Sequence, residues 1–294
     1  MAISGTSRII ITPDACYMPP ELEHGKAWGL STNLYSIRSN RNWGVGDFAD
    51  LKRTVEWTAG LKGGFVGINP LHAIPNKKPF GISPYSPISR LYKNLIYLDM
   101  ENIPEVKELM AHEKEIQDSL NELRKEDLIN YEKTASLKEN VLRSAFNYFY
   151  DHHYRQDSQR GMEFKNYMTQ EGKELESFAT YMALSSLITH HSSLFSWHEW
   201  PEEYRNPSSN EVQEFRKTYK KEIIFHAYIQ WLIDGQFREI SEHAKNLGMS
   251  IGIYHDLAIG SIGGGSDAWM AQDIIADGMD LGAPPDDFNP SGQN

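Results

Sequence analysis

Residues 28–73 carry the pattern that most restricts the fold. A strand-like run, "WGLSTNLYSIRS" (28–39), is followed by a loop with two glycines, "NRNWGVGDF", and then by "DFADLKRTVEWTAG". In that last stretch Phe48, Leu51, Val55 and Ala59 recur at helical spacing, with Asp47 placed to cap the helix and Gly60 to stop it. A second short apolar run, "GGFVGINPLHA" (63–73), comes next and turns polar at Asn69 and His72. Strand, helix, strand in this order is a βαβ unit, and such a unit implies a parallel sheet.

Only one later segment has the same character. "MSIGIYHDLAIG" (249–260) reads as a strand that turns polar at His255 and Asp256. Parallel sheets gather ligand-facing groups at the carboxyl ends of their strands, so Asn69, His72 and Asp256 stand where such groups are expected. Three core strands (28–38, 65–71 and 249–257) are too few for a closed (β/α)₈ barrel, which needs eight. A doubly wound sheet is the other fold open to this pattern. Between these strands, residues 104–245 are mostly helical in texture. "EVKELMAHEKEIQDSLNELRKED" is highly charged, and "ESFATYMALSSLI" (176–188) reads as more buried. Pro201 and Pro207 interrupt the run, and Ile224, Tyr228, Trp231 and Ile240 form an apolar stripe on a helix that ends at Gly248.

Charge and cysteine content remove several classes of function. A formal charge of −11 disfavours non-specific nucleic-acid binding, which requires many Lys and Arg to neutralise phosphates. Cys16 is the only cysteine, so neither an intrachain disulfide nor a thiolate metal cluster can form. No apolar segment reaches the length of a signal peptide or a membrane span. The expectation is a soluble cytoplasmic protein that needs no cofactor or metal and binds neither nucleic acid nor membrane.

Among chemical motifs, "GSIGGGSDAW" (260–269) lacks both the Gly-Lys-Ser/Thr ending and the G-x-G-x-x-G spacing of phosphate loops, so a close-approach or flexible loop is the better reading. The pairs His152-His153 and His190-His191 have neighbours at i, i+1, which point apart on a helix, and lack matching acids. Ser83, Ser86 and Ser89 lie in no G-x-S-x-G elbow. Trp28, Trp43, Trp197, Trp200 and Trp269 lie in or beside loops. Aromatic faces near Asp, Asn and His suit sugars, but tryptophans also fill cores, and composition alone leaves both readings open.

Several longer stretches settle the question of kinship. "WGLSTNLYSIRSNRNWGVGDFADL", "GGFVGINPLHAIPN", "SPYSPISRLYKNLIYLD", "WHEWPEEYR", "IIFHAYIQWL", "IGIYHDLAIG" and "ADGMDLGAPPDDFNPSGQN" together resemble the amylomaltases. These are the 4-α-glucanotransferases of glycoside hydrolase family 77, in the α-amylase superfamily. The resemblance runs from about residue 11 onward and is weakest over 104–195. It implies an α/β fold, an incomplete (β/α)₈ barrel with a long helical insertion between early strands. Residues 1–103 would start the barrel, 104–221 would form the insertion, and 222–294 would return to the barrel. It also implies transfer of α-1,4-glucan segments between maltooligosaccharides, or to glucose, with retained configuration. Retention calls for a nucleophilic carboxylate and an acid/base carboxyl roughly 5 Å apart.

The resemblance assigns sugar contacts to Ser83 and Tyr85 of the Ser-Pro-Tyr motif, a hydroxyl-binding role to Asp256, and stacking on glucan to Phe288 of a mobile "PPDDF" loop (284–288). It puts the catalytic nucleophile and both other carboxyls after Asn294, in keeping with the loop-like ending "GAPPDDFNPSGQN". This stretch is therefore expected to lack turnover of its own. Asp286 with Asp287, and Glu199 with Glu203, are not placed as opposed pairs that could substitute. "RIIITPDACYMPP" resembles a junction after an N-terminal domain. Asn33, His255 and Leu95 depart from the family's usual glutamine, arginine and proline. A non-catalytic α-glucan-binding module, or a sugar-phosphate enzyme using residues 260–266, are the competing functions.

Overall fold

This computed structural model describes residues 11–16, 18–78, 81–110, 114–188, 196–276, 278–279 and 282–292. A single helical turn, α1 (Pro20–Glu23), precedes β1 (Gly29–Thr32), and the capped helix α2 (Phe48–Gly60) leads into β2 (Phe65–Ile68). β1 is shorter than the strand-like run in the sequence, because residues 34–36 wind into a 3₁₀ turn. The amide of Leu34 there donates to Asn69 Oδ1 at 2.7 Å.

At the start of α2, Asp47 accepts from the amides of Ala49 and Asp50, while Asp50 returns a bond to the Asp47 amide, a reciprocal capping box. Gly60 is the last helical residue rather than the left-handed stop; that turn falls on Lys62, at φ 64°.

β3 (His72–Ala73) and β4 (Ser89–Lys93) form a small antiparallel pair. The helical stretch follows: α3 (Pro104–Met110), α4 (Lys114–Lys125), α5 (Tyr131–Phe149), α6 (Gln159–Ile188), α7 (Glu202–Arg205), α8 (Asn210–Thr218) and α9 (Lys220–Asn246). β5 (Gly252–His255) and the short α10 (Ser266–Met270) complete the order.

The main sheet is parallel throughout, in the order β1-β2-β5, as the βαβ pattern predicts. Its register aligns Leu30 with Val66 and Ile253, and Ser31 with Gly67 and Tyr254. Alternation sends these rows to opposite faces. Val66 and Ile68 are buried, on the side where α2 packs against β2 and α9 against β5. The opposite row leaves Ser31 and Tyr254 exposed.

α6 and α9 form the spine of the helical region. Phe149, Phe164 and Tyr228 pack ring on ring between α5, α6 and α9, with Phe149–Tyr228 centroids 4.7 Å apart. Burying each such ring is worth about 1.5–3 kcal/mol. The core is continuous from Leu34 in the sheet region to Trp269 in α10, so helices and sheet share one apolar interior. Ile224, Tyr228 and Ile240 of the α9 stripe are buried, whereas Trp231 is half-buried.

Charge is buried too. Lys138 of α5 is fully enclosed and donates to the carbonyls of Ile96 and Leu98. Glu105 of α3 receives both Arg160 Nε, at 2.6 Å, and Tyr228 Oη, at 3.1 Å.

Candidate functional site

Two carboxyl-end features of the sheet region converge. Within the Ser-Pro-Tyr segment, Ser83 Oγ accepts from the Tyr85 amide at 3.3 Å and the Ser83 carbonyl accepts from Ser86 at 3.2 Å, so the backbone turns tightly around Pro84. The segment is anchored on one side by Ile88, whose amide donates to Ala73 O at 2.9 Å. Across from it, β5 runs out at His255, and the Asp256 amide still donates to Ile68 O at 3.1 Å. Tyr85 Oη then donates to Asp256 Oδ2 at 2.7 Å. That bond raises the phenol's pKa above its ordinary value, so the hydroxyl keeps its proton. Tyr85 is exposed and Asp256 half-buried, and among the described residues no donor reaches Asp256 Oδ1.

The glycine loop after β5 closes the site from below. Ile262 donates to Pro87 O at 2.9 Å, the Asp267 amide to Ile88 O at 3.2 Å, and Arg90 N to Asp267 Oδ2 at 2.7 Å. A Cβ on Gly265 would meet Ile88 O at 2.6 Å, and one on Gly264 would meet Ser196 Oγ at 2.8 Å. These glycines serve close approach, not a phosphate cradle. The loop's carbonyls are in use as well, since Gly263 O accepts from Trp197 Nε1 at 3.0 Å and Gly264 O from Tyr181 Oη at 2.8 Å.

A cavity of about 600 Å³ lies over this loop, and Tyr85, Trp197 and Gly260–Gly263 are among its walls. Trp197 is half-buried and stacks on His198, with centroids 3.7 Å apart. The tryptophans therefore divide. Trp43, Trp200 and Trp269 are core residues, while Trp197 walls the cavity and Trp28 stands half exposed. Tyrosine and tryptophan rings beside a carboxylate can stack on the C–H face of a sugar and hydrogen-bond its hydroxyls.

Other residues singled out by position do structural work. Asn69 is buried; beyond its bond to Leu34 it donates to Pro70 O at 2.8 Å and Tyr97 Oη at 2.9 Å. His72 is buried, and its Nε2 accepts from the Ala258 amide at 3.2 Å. Burial, aided by Arg90, lowers its pKa and favours the neutral ring that this bond requires. His255 packs edge-on against Phe237. His152 bonds to Tyr148 O and His153 to Ser158 Oγ, and His190-His191 lie outside the described residues.

Phe288 is fully exposed and is not among the cavity's walls, although Gly282 and Ala283, just before its loop, are. Asp286 is occupied in a turn, accepting from the amides of Phe288 and Asn289. No helix of the described residues is long and apolar enough to cross a membrane.

Known proteins share both sequence and fold with this chain. The family model described as 4-alpha-glucanotransferase matches residues 32–294. A 4-alpha-glucanotransferase of Mycobacterium tuberculosis (strain ATCC 25618 / H37Rv) is 35% identical over 302 residues, covering 98% of this chain and 40% of that protein. One from Haemophilus influenzae is 34% identical over 296 residues, covering 98% of this chain and 42% of its own length. The chain thus spans about two fifths of these relatives. The crystal structure of amylomaltase from Corynebacterium glutamicum superposes with a TM-score of 0.73 at 32% identity, over 91% of this chain and 35% of that one. Amylomaltase from Streptococcus agalactiae in complex with acarbose gives 0.71 at 21% identity, over 91% of this chain and 51% of its own, a likeness of fold.

Proposed function

We propose a function from one premise: the chain belongs to the 4-alpha-glucanotransferase family. On our reading, residues 1–294 contribute the early part of a (β/α)₈ barrel and one wall of an oligosaccharide cleft. Residues 104–221 act as a helical insertion. The exposed row of the parallel sheet, with Ser31 and Tyr254 uncovered, supports this, because in a closed barrel that row would face the interior.

The reaction we assign to the whole protein is transfer of α-1,4-glucan segments between maltooligosaccharides or to glucose. A retaining double displacement needs an ionised carboxylate to attack the anomeric carbon and a protonated one to release the leaving oxygen. We expect those carboxyls outside residues 1–294, and expect these residues alone to give no turnover.

What this chain supplies is grip and orientation. Asp256, with one carboxylate oxygen held by Tyr85, presents the other to sugar hydroxyls. Tyr85 and Trp197 offer aromatic faces, and Ser83 shapes the turn that aims Tyr85. Phe288 would stack on glucan once its loop closes. The single observation carrying this reading is the Tyr85–Asp256 bond beside the aromatic cavity. Such positioning matters because an acceptor sugar must reach the glycosyl intermediate before water does.

The test is incubation of the whole protein with maltotriose, which should yield glucose and longer maltodextrins. Hydrolysis without any lengthened chain would reject transfer. Titration of this chain with maltoheptaose in a calorimeter should give saturable heat, and none would reject the cleft.

A further inference from the structure

A second cavity, of about 570 Å³, opens between α6, α8 and α9 and shares no wall with the one at Tyr85. Its floor is aliphatic, built from Leu175, Ile223, Ile224 and Ala227, with half-buried Met168 at one side. Its rim is cationic, with Lys173, Arg216, Lys217 and Lys220, and Glu176 is the one acid among its walls. This reverses the sign of a chain whose formal charge is −11.

Part of that positive charge is already engaged. Arg216 Nε donates to Thr180 Oγ1 at 3.2 Å, which holds the guanidinium in place, and Lys217 pairs with Glu214 at 3.2 Å. Among the described residues no hydrogen bond or ion pair occupies Lys173 or Lys220. The groove is shaped by the break in α6 at Gly172, whose φ of 64° and ψ of −137° interrupt the helix next to Lys173.

Apolar floor and unneutralised cationic rim together specify a ligand with both properties. Tyr154, Thr169 and Gln213 add neutral polar groups to the walls, but an inorganic anion alone would leave the floor unused. The volume lies within the range of small-molecule sites, about 300–1,000 Å³. We propose that this groove binds a soluble aliphatic carboxylate, in class a medium-chain fatty acid, with its chain on the Leu175–Ile223–Ile224 floor and its head group among Lys173, Arg216 and Lys220.

The test is calorimetric titration of the chain with decanoate, below the concentration at which it forms micelles. Decanol, inorganic phosphate and anionic phospholipid vesicles serve as comparison probes. Decanoate should bind saturably at one site, decanol about tenfold more weakly, and phosphate without measurable heat. The double variant K173E/K220E changes two exposed side chains, so its melting should match wild type while its decanoate affinity falls about tenfold. Absence of saturable heat, equal affinity for decanol, or unchanged affinity in K173E/K220E would overturn the proposal. Vesicle binding that decanoate fails to displace would overturn it in favour of a membrane surface.

Discussion

Tyr85 donates a hydrogen bond from its phenolic hydroxyl to Asp256 Oδ2 at 2.7 Å, across 171 residues of chain. The donor belongs to the turn after β3 and the acceptor to the end of β5, so the pair joins two separately anchored segments, of which Tyr85 walls the cavity. Removing the hydroxyl in Tyr85→Phe should weaken maltoheptaose binding by about 2- to 12-fold, the range of one net hydrogen bond. Because the ring is exposed, the melting temperature should stay within a degree or two of wild type. Calorimetry and thermal melting check both parts, and unchanged affinity would remove Tyr85 from the sugar site.

Asp47 gives a prediction in pH. Burial raises its carboxyl to about 7, against the opposing pull of the Lys138 charge. The folded chain therefore binds this proton at a pH where the unfolded chain, with an ordinary carboxyl near 4, has released it. Stability from this group is complete below about 4 and is lost as pH rises through about 7. Asp47→Asn keeps an N-cap side chain but cannot titrate. Urea midpoints measured from pH 4 to 7 should fall for wild type relative to the variant, and parallel curves would contradict the assignment.

Arg160 and Glu105 tie α6 to α3 through two bonds to a carboxylate that is almost wholly buried. Arg160→Ala leaves that carboxylate without its cation and should cost about 3–5 kcal/mol. Replacing the whole set together, as Glu105→Leu with Arg160→Met and Tyr228→Phe, should recover much of the loss, since packed apolar groups avoid desolvating two charges and leave no buried phenol without its acceptor. Chemical denaturation of Arg160→Ala and of the combined variant, beside wild type, measures this. A combined variant as unstable as Arg160→Ala would show that the ion pair contributes more than its burial costs.

At Gly172 a side chain would have room, since only the Glu174 carboxylate comes near, at 3.9 Å. The obstacle is backbone, because positive φ with ψ near −137° is territory for glycine. Gly172→Ala should therefore destabilise by about 1–3 kcal/mol, read as a lower urea midpoint. No loss would mean that α6 can run straight through this point.

Much of the sheet was legible because its signals are local. Apolar runs and the cap at Asp47 specify β1, α2 and β2, and a matching run specifies β5. Polar residues at strand ends were less informative. Asn69, His72 and Asp256 look alike in sequence, yet the first two bond inward to the backbone and only Asp256 meets Tyr85. Their orientation depends on Leu34, Ala258 and Tyr85, which lie far along the chain. Spacing likewise fails to separate Trp197 from Trp200, three residues on, although one walls the cavity and the other is wholly covered. The cationic groove was invisible because Lys173 and Lys220 become neighbours only through the packing of α6 on α9.

The pairing of Phe65 with Gly252 has a consequence for synthesis. β2 leaves the ribosome well before β5, which emerges only after every helix from α3 to α9 has been made. Until then one hydrogen-bonding edge of β2 waits without its native neighbour. Assembly with so distant a contact is slow, and the waiting edge is the place where a nascent chain would recruit another strand or a chaperone.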